Sequence, residues 1–197
     1  MIKLLVYIKH NAKFLWRAIE FLNGLFFGML FRKRVHDALV LRLKSLSHEK
    51  YQWRFIDPDD LSLLEDFFKH EPADQFRYFN PHGFSFADLR RAHHNPSLLM
   101  LGVFDGKTLV GYFFLRCFLN KKCFTGRIVS HKRQGEGLSK IMGRLLIDSA
   151  WDAQFRVFGT ASKSNFKSLG SYRSINKMNI VKELNDGYIL FEYVKSD

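Results

Sequence analysis

One stretch, from Arg127 to Ser139, limits most strongly what this chain can fold into and what it can bind. It opens with a β-branched run that is typical of a strand and continues through a basic turn that contains Gly135 and Gly137. From Leu138 onward, apolar residues recur at the i, i+3, i+4, i+7 and i+8 spacing of a half-buried helix. The stretch therefore predicts a strand that turns through two glycines directly into a helix.

A turn of this kind is suited to holding an anion. The first backbone N–H groups of a helix have no partner within the helix, and the aligned peptide dipoles leave partial positive charge at that end. Gly135 and Gly137 let the backbone approach a phosphate closely, and the hydroxyl of Ser139 adds a donor. The alternative is a turn that only joins a strand to a helix.

The spacing within the turn matches a known signature. Gln134-x-x-Gly137-x-Ser139 resembles the Q/R-x-x-G-x-G/A motif with which acetyltransferases of the GNAT superfamily hold the pyrophosphate of acetyl-CoA, with serine in place of the last small residue. It is neither a dinucleotide fingerprint nor a Walker loop, because G-x-G-x-x-G and the Gly-Lys-Ser/Thr ending are both missing.

A second run, Asn165-x-x-Ser168-x-x-x-Tyr172, resembles the superfamily's N-x-x-A/S-x-x-x-Y/F motif. The resemblance implies that Asn165 bonds the pantetheine arm and that Tyr172 protonates the departing CoA thiolate. A phenol with a pKa near about 10 keeps its proton at neutral pH and can donate it. The alternative for Tyr172 is a packing role. After this run, residues 175–177 (Ile-Asn-Lys) replace the usual Gly-Phe.

The predicted order of elements is strand, helix, helix, three strands, helix, strand, helix and two strands. The strands are expected at 51–56, 98–104, 108–119, 123–130, 155–161, 179–184 and 188–194, and the helices at 61–68, 87–93, 138–150 and 165–174. This is the GNAT topology. We therefore expect an α/β (α+β) fold with a mixed, mostly antiparallel central sheet, splayed fourth and fifth strands and flanking helices.

In proteins of this superfamily acyl-CoA lies in the gap between the two splayed strands. By resemblance, acetyl-CoA would be the co-substrate, and strand backbone groups would polarise its thioester carbonyl. The residues implied to bind it are Ile128, Val129, Ser130, Gln134, Gly135, Glu136, Gly137, Leu138, Ser139, Asn165 and Ser168.

The acceptor amine must lose a proton before it can attack, and the sequence offers three candidate bases. His82 lies in an aromatic loop between the early helices, where the superfamily shapes its acceptor pocket. We therefore expect His82 to be catalytic. His131, at the mouth of the fourth strand, and Glu71, before the aromatic loop, are the other candidates. A surface or structural role is the alternative for each histidine.

Residues 1–48 form a predicted basic, amphipathic helical arm, and residues 49–197 form the predicted acetyltransferase domain. Apolar side chains such as Leu4, Ile8, Leu22 and Met29 fall on one side of a helical wheel, with cations opposite. Residues 1–34 could therefore contact the inner leaflet of a membrane, or pack on the domain or on a second subunit as in a homodimer. Their apolar run is too short for a confident membrane span.

The formal net charge of +12 favours polyanionic partners, such as CoA phosphates, nucleotide-linked substrates or anionic lipid. The aromatic loop and the basic character suggest a small polar amine as acceptor, for example a nucleotide-linked amino sugar. A catalytically silent acyl-CoA-binding module and a membrane-associated adaptor are the alternatives, and no specific nucleic-acid motif is present.

Two cysteines, Cys117 and Cys123, are too few for a disulfide framework and lack metal-ligand spacing. Free thiols in a reducing cytosol are the expected state, so we expect a cytoplasmic protein without a metal site. The N-terminal arm could also hold the protein at the inner face of the membrane.

Overall fold

The computed structural model describes the backbone of residues 13–46 and 50–195, and the side chains of those residues from residue 18 onward. Leu4 and Ile8 of the predicted amphipathic stripe, and the predicted domain boundary after residue 48, lie outside the described residues. The division into an arm and a domain stays a prediction.

Seven strands form one sheet in the order β1-β2-β3-β4-β5-β7-β6. The strands are β1 (Gln52–Phe55), β2 (Leu98–Asp105), β3 (Thr108–Cys117), β4 (Lys122–Val129), β5 (Arg156–Ser162), β6 (Met178–Glu183) and β7 (Tyr188–Tyr193). All neighbouring pairs are antiparallel except β4 and β5. The predicted strand order along the chain and the mostly antiparallel sheet are confirmed.

The described helices are α1 (Lys13–Leu30), α2 (Arg32–Ser45), α3 (Leu61–His70), α4 (Phe86–His93), α5 (Leu138–Asp152) and α6 (Phe166–Arg173). They cover both faces of the sheet, which explains why β2 and β3 are almost continuously apolar and buried. One core lies under α5 and α2, and the other lies under α3 and α4.

The fourth and fifth strands separate after a short contact. Only three residue pairs join them, between Lys122–Phe124 and Arg156–Phe158. β5 remains paired with β7 from Val157 to Ser162, whereas β4 remains paired with β3 as far as Val129. The two strands therefore diverge toward their carboxyl ends, and the predicted splay is confirmed.

The described part of the N-terminal arm packs on the rest of the molecule. Phe27, Val35 and Leu39 are fully buried and belong to the core under α5. The segment after residue 34 is helical as far as Ser45 and belongs to α2. Among the described residues, no helix combines the length and the apolar character needed to cross a membrane.

We expect the buried face of α1 to contribute to folding stability and its outer face to contribute little. Phe27→Ala should lower the free energy of unfolding by about 3–5 kcal/mol, because the truncation leaves a cavity in the core. Phe21, on the same helix, is 68% exposed, so Phe21→Ala should change the free energy of unfolding by less than about 0.5 kcal/mol. Urea unfolding of both variants measures the difference, and equal losses would contradict the observed packing.

Candidate functional site

The divergence of β4 and β5 opens a cleft of about 530 Å³. Its walls are the carboxyl ends of the two strands, the start of α5, the first turns of α6 and the 74–79 segment that follows α3. A cleft of this volume is in the range of small-molecule sites.

Backbone groups of β4 face this gap. Ser130 donates its N–H to the carbonyl of Val110 on the β3 side, at 2.9 Å. Because amide groups point alternately to the two sides of a strand, those of Val129 and Arg127 face the gap instead. No strand lies opposite them, since pairing with β5 stops at Phe124. The cleft is therefore lined by backbone donors and acceptors that a ligand could use.

The bend between β4 and α5 leaves further amides free. Gly135 and Gly137 have φ values of 90° and 78°, in the left-handed region that glycine adopts without strain. A Cβ built on either glycine would meet no atom within 4 Å, so the space in front of them is open. No acceptor within the described residues takes up the amides of Gly137, Leu138 or Ser139. They form a set of hydrogen-bond donors at the start of α5.

Arg127 lies beneath this bend. Its Nε donates to the hydroxyl of Ser139 at 2.9 Å, its Nη2 donates to that of Ser171 at 3.3 Å, and its guanidinium carbon lies 4.5 Å from the centre of the Tyr172 ring. Within the described part of the chain it has no carboxylate partner, and its buried Nη1 makes no hydrogen bond. A positive charge therefore remains without a counter-charge at the cleft.

The cleft lining carries charges of both signs. Asp74 is the only carboxylate among the described lining residues, and it lies on the 74–79 segment. The cations Arg133, Lys140 and Lys167 belong to the glycine bend and to the first turns of the two helices beside it. The cleft can therefore attract anionic groups at the bend and a cationic group at Asp74.

No family model matches the sequence, and comparison with curated proteins finds no significant match. Solved structures do match. The GNAT domain of S. lividans PAT superposes with a TM-score of 0.64 at 16% identity, over 73% of this chain and 89% of that one. The ribosomal-protein-S5-alanine acetyltransferase from Vibrio fischeri gives 0.60 at 16% identity, over 77% and 97%.

A third match is spermidine N-acetyltransferase from Vibrio cholerae, solved in complex with CoA and spermine, with a TM-score of 0.58 at 15% identity over 74% of this chain and 94% of that one. This chain has the GNAT fold. The resemblance inferred from the motifs is confirmed at the level of the fold.

Most of the residues that the GNAT resemblance selected line the cleft. These are Ile128, Val129, Gln134, Gly135, Gly137, Leu138, Ser139, Asn165, Ser168 and Tyr172. Asn165 also caps α6, because its side-chain oxygen accepts the N–H of Ser168 at 3.1 Å. The structure brings these residues together, and their roles stay predictions.

Ser130 and Glu136 do not line the cleft. The N–H of Ser130 is already bonded within the sheet. The carboxylate of Glu136 accepts hydrogen bonds from the hydroxyl of Tyr51 and, at 2.9 Å, from Lys50, which lower its pKa to about 2. Only the backbone of Glu136 remains a candidate for contact with a ligand.

His82 lies outside the cleft lining, in a cluster of aromatic rings. Its Nδ1 lies 2.9 Å from the carbonyl of Gly83, which can only accept, so Nδ1 carries the proton and Nε2 accepts from the hydroxyl of Tyr112 at 2.8 Å. Both ring nitrogens are thus occupied. Burial, the largest influence, lowers the pKa of His82. This arrangement favours a structural role over the predicted catalytic one.

The two other candidate bases contact each other. Glu71, whose side chain is 4% exposed, accepts a hydrogen bond from the backbone N–H of His131 at 2.8 Å. The same carboxylate oxygen lies 3.0 Å from Nδ1 of the His131 ring. The same oxygen accepts from Gln75, which lines the cleft, at 2.6 Å. Because an ionised carboxylate can only accept, Nδ1 of His131 is the donor and Nε2 is left as a proton acceptor.

Sequence reasoning did not find Arg127, Asp74 or the cations Lys140 and Lys167. The one signal for Arg127 was a charge in the middle of a predicted strand that is packed under a helix. Nowhere among the described side chains do three His, Cys, Asp or Glu residues come together in a way that could hold a metal ion.

We expect His82 to make folding stability depend on pH. Because burial lowers its pKa, the unfolded chain takes up a proton below about pH 6.5 that the folded chain does not, and stability falls as the pH decreases from that value. His82→Gln should flatten this part of the curve, measured by urea unfolding at several pH values. The exposed His94→Gln is the control, and equal slopes in both variants would disprove the assignment.

Proposed function

We propose that this chain is an acetyl-CoA-dependent N-acetyltransferase that acts on a primary amine of a small polar acceptor. The observation that carries the proposal is the set of free amides at Gly137, Leu138 and Ser139, at the end of a cleft made by the divergence of β4 and β5. The GNAT fold and the solved neighbours with CoA bound support it.

The bend would hold the diphosphate of acetyl-CoA, with Lys140 and Lys167 beside it. The pantetheine arm would then follow the unpaired edge of β4 and replace part of the missing strand pairing. The N–H of Val129 would bond the thioester oxygen, where negative charge develops during attack. The contacts along β4 use backbone groups that face the gap, where none of the described strands lies opposite them.

Asp74 would attract the acceptor as an ammonium ion. We assign the base to His131. Like His82 it does not line the cleft itself, but Glu71 holds it and also accepts a hydrogen bond from the lining residue Gln75. Nε2 of His131 would remove one proton from that ammonium.

The neutral nitrogen then attacks the thioester carbonyl, a C–N bond forms and the C–S bond breaks. The CoA sulfur leaves with the electron pair and takes a proton from Tyr172. The new amide nitrogen loses its second proton to solvent, and solvent returns a proton to the phenolate of Tyr172.

Arg127 would support the proton transfer from Tyr172 as a positioning residue. Its guanidinium lies over the ring of Tyr172, which fixes the ring and stabilises the negative charge that remains when the phenol gives up its proton. Arg77, exposed beside Tyr78, could meet a phosphate on the acceptor. A nucleotide-linked amino sugar would therefore match both ends of the acceptor side.

The decisive experiment combines calorimetric titration with acetyl-CoA and a thiol-release assay on a panel of amines: nucleotide-linked amino sugars, polyamines, aminoglycosides and peptide N-termini. Cys117 and Cys123 are fully buried, so a thiol reagent applied to the folded protein should report released CoA. Binding with turnover supports the enzyme. Binding without release on any amine would favour the silent module, and absence of binding would overturn the proposal.

The glycine bend can be tested with a matched pair of substitutions. Gly137→Ala places a Cβ at a φ of 78° in the open space where the diphosphate would lie, and it should weaken acetyl-CoA binding at least about tenfold. Gly106→Ala, in the β2–β3 turn at a φ of 59°, carries similar backbone strain outside the cleft lining, next to Asp105, which forms an ion pair with Arg133. It should lose similar stability and keep its affinity. Equal affinities in the two variants, measured by calorimetry, would contradict the assignment.

The base can be tested by kinetics. His131→Ala should lower kcat/KM by about 10²- to 10⁴-fold and abolish the decrease of kcat/KM at low pH. Glu71→Gln should also lower kcat/KM and weaken that decrease. Affinity for acetyl-CoA should stay unchanged. His94→Ala is the control on the exposed end of α4. A loss of tenfold or more in His82→Ala, with His131→Ala unaffected, would instead confirm the original prediction for His82.

A further inference from the structure

The helix α1 is fixed to the body of the protein through one face. Asn23 donates to the carbonyl of Cys117 at 3.1 Å and accepts the N–H of Leu119 at 3.2 Å. Phe27 is fully buried, and Gly24 and Gly28 lie so close to the 95–96 turn that a Cβ on either would approach Pro96 to 3.2 Å. The orientation of the helix is therefore set by the protein.

The opposite face of α1 exposes six large apolar side chains, each between 44% and 68% accessible. They are Phe21, Leu22, Leu25, Phe26, Met29 and Leu30. At 3.6 residues per turn they cover about half of the helix circumference. The acidic residue of the helix, Glu20, forms an ion pair with the body of the protein, with its Oε1 3.8 Å from Nη1 of Arg116. A contiguous apolar surface of this kind marks a site of contact.

Cations lie at the carboxyl end of this surface. Arg32, Lys33 and Arg34 are exposed directly after the helix, and Lys121 is exposed next to Phe31. A second copy of the chain would bring two molecules of formal charge +12 together at this surface, which electrostatic repulsion opposes. An anionic lipid surface has the complementary charge and accepts apolar side chains.

We propose that the outer face of α1, defined by Phe21, Leu22, Leu25, Phe26, Met29 and Leu30, docks in the plane of an anionic membrane surface. The apolar side chains enter the boundary between headgroups and acyl chains, and the neighbouring cations meet the anionic headgroups. Because the inner face is already packed, docking needs no folding of the described helix, which removes an ordering cost.

The docking face and the cleft lie toward opposite ends of the strands. α1 contacts the residues where β3 ends and β4 begins, whereas the cleft lies where β4 ends. The eight residues of β4 span about 26 Å. The membrane-bound protein therefore keeps its cleft accessible from water.

The experiment is sedimentation of the full-length protein with vesicles of phosphatidylcholine alone or mixed with phosphatidylglycerol. We expect sedimentation with the anionic vesicles and a loss of at least tenfold in partitioning for Phe21→Glu/Met29→Glu. Ile180→Glu/Val181→Glu is the matched control, because it makes the same charge change at two exposed apolar residues of β6. It should bind like the unchanged protein, and far-UV circular dichroism should confirm that both variants are folded.

Three outcomes would overturn the proposal. The first is that the protein does not sediment with anionic vesicles. The second is that both double variants bind the vesicles as well as the unchanged chain, which would assign the contact to general charge or to residues 1–12. The third is a lipid-free dimer, seen by sedimentation velocity and lost in Phe21→Glu/Met29→Glu, together with no vesicle binding. That result would assign the face to a second copy of the chain.

Discussion

The main constraint on this molecule is that backbone N–H groups need hydrogen-bond acceptors. Along the end of β4 and at the bend after it, the described residues supply none to a series of these groups. β4 loses β5 as a neighbour after three residue pairs, and the bend that follows leaves the amides of 137–139 free. The other inner strands, β2, β3, β5 and β7, have a paired neighbour on each side. A ligand that runs along β4 and ends at the bend would supply the missing acceptors at both places. The same divergence of strands that defines the fold therefore creates the proposed binding site.

The electrostatics of the cleft follow the same geometry. The start of α5 contributes a partial positive charge, and the cations of this end reinforce it. Arg127 extends the positive region inward, beneath Tyr172, without a carboxylate partner among the described residues. Asp74 is the one carboxylate among the described lining residues. The lining thus offers attraction both to the anionic groups of one proposed substrate and to the ammonium group of the other.

Local patterns made much of the fold predictable. Strand and helix periods, and the two glycines at positive φ, depend on neighbouring residues and were visible in the sequence. The candidate bases could not be ranked in this way. Glu71 and His131 are 60 positions apart, and the partner of His82 is Tyr112, 30 positions away. Only the packing of α3 against the sheet decides which histidine meets a carboxylate and which meets a phenol.

The apolar outer face of α1 also affects how the protein behaves in solution. A rigid surface of six large apolar side chains favours self-association and precipitation. The formal charge of +12 opposes this, because like-charged molecules repel one another over roughly 10 Å at moderate ionic strength. Colloidal stability should therefore depend on salt, and a buffer concentrated enough to screen the charge would bring the protein close to aggregation.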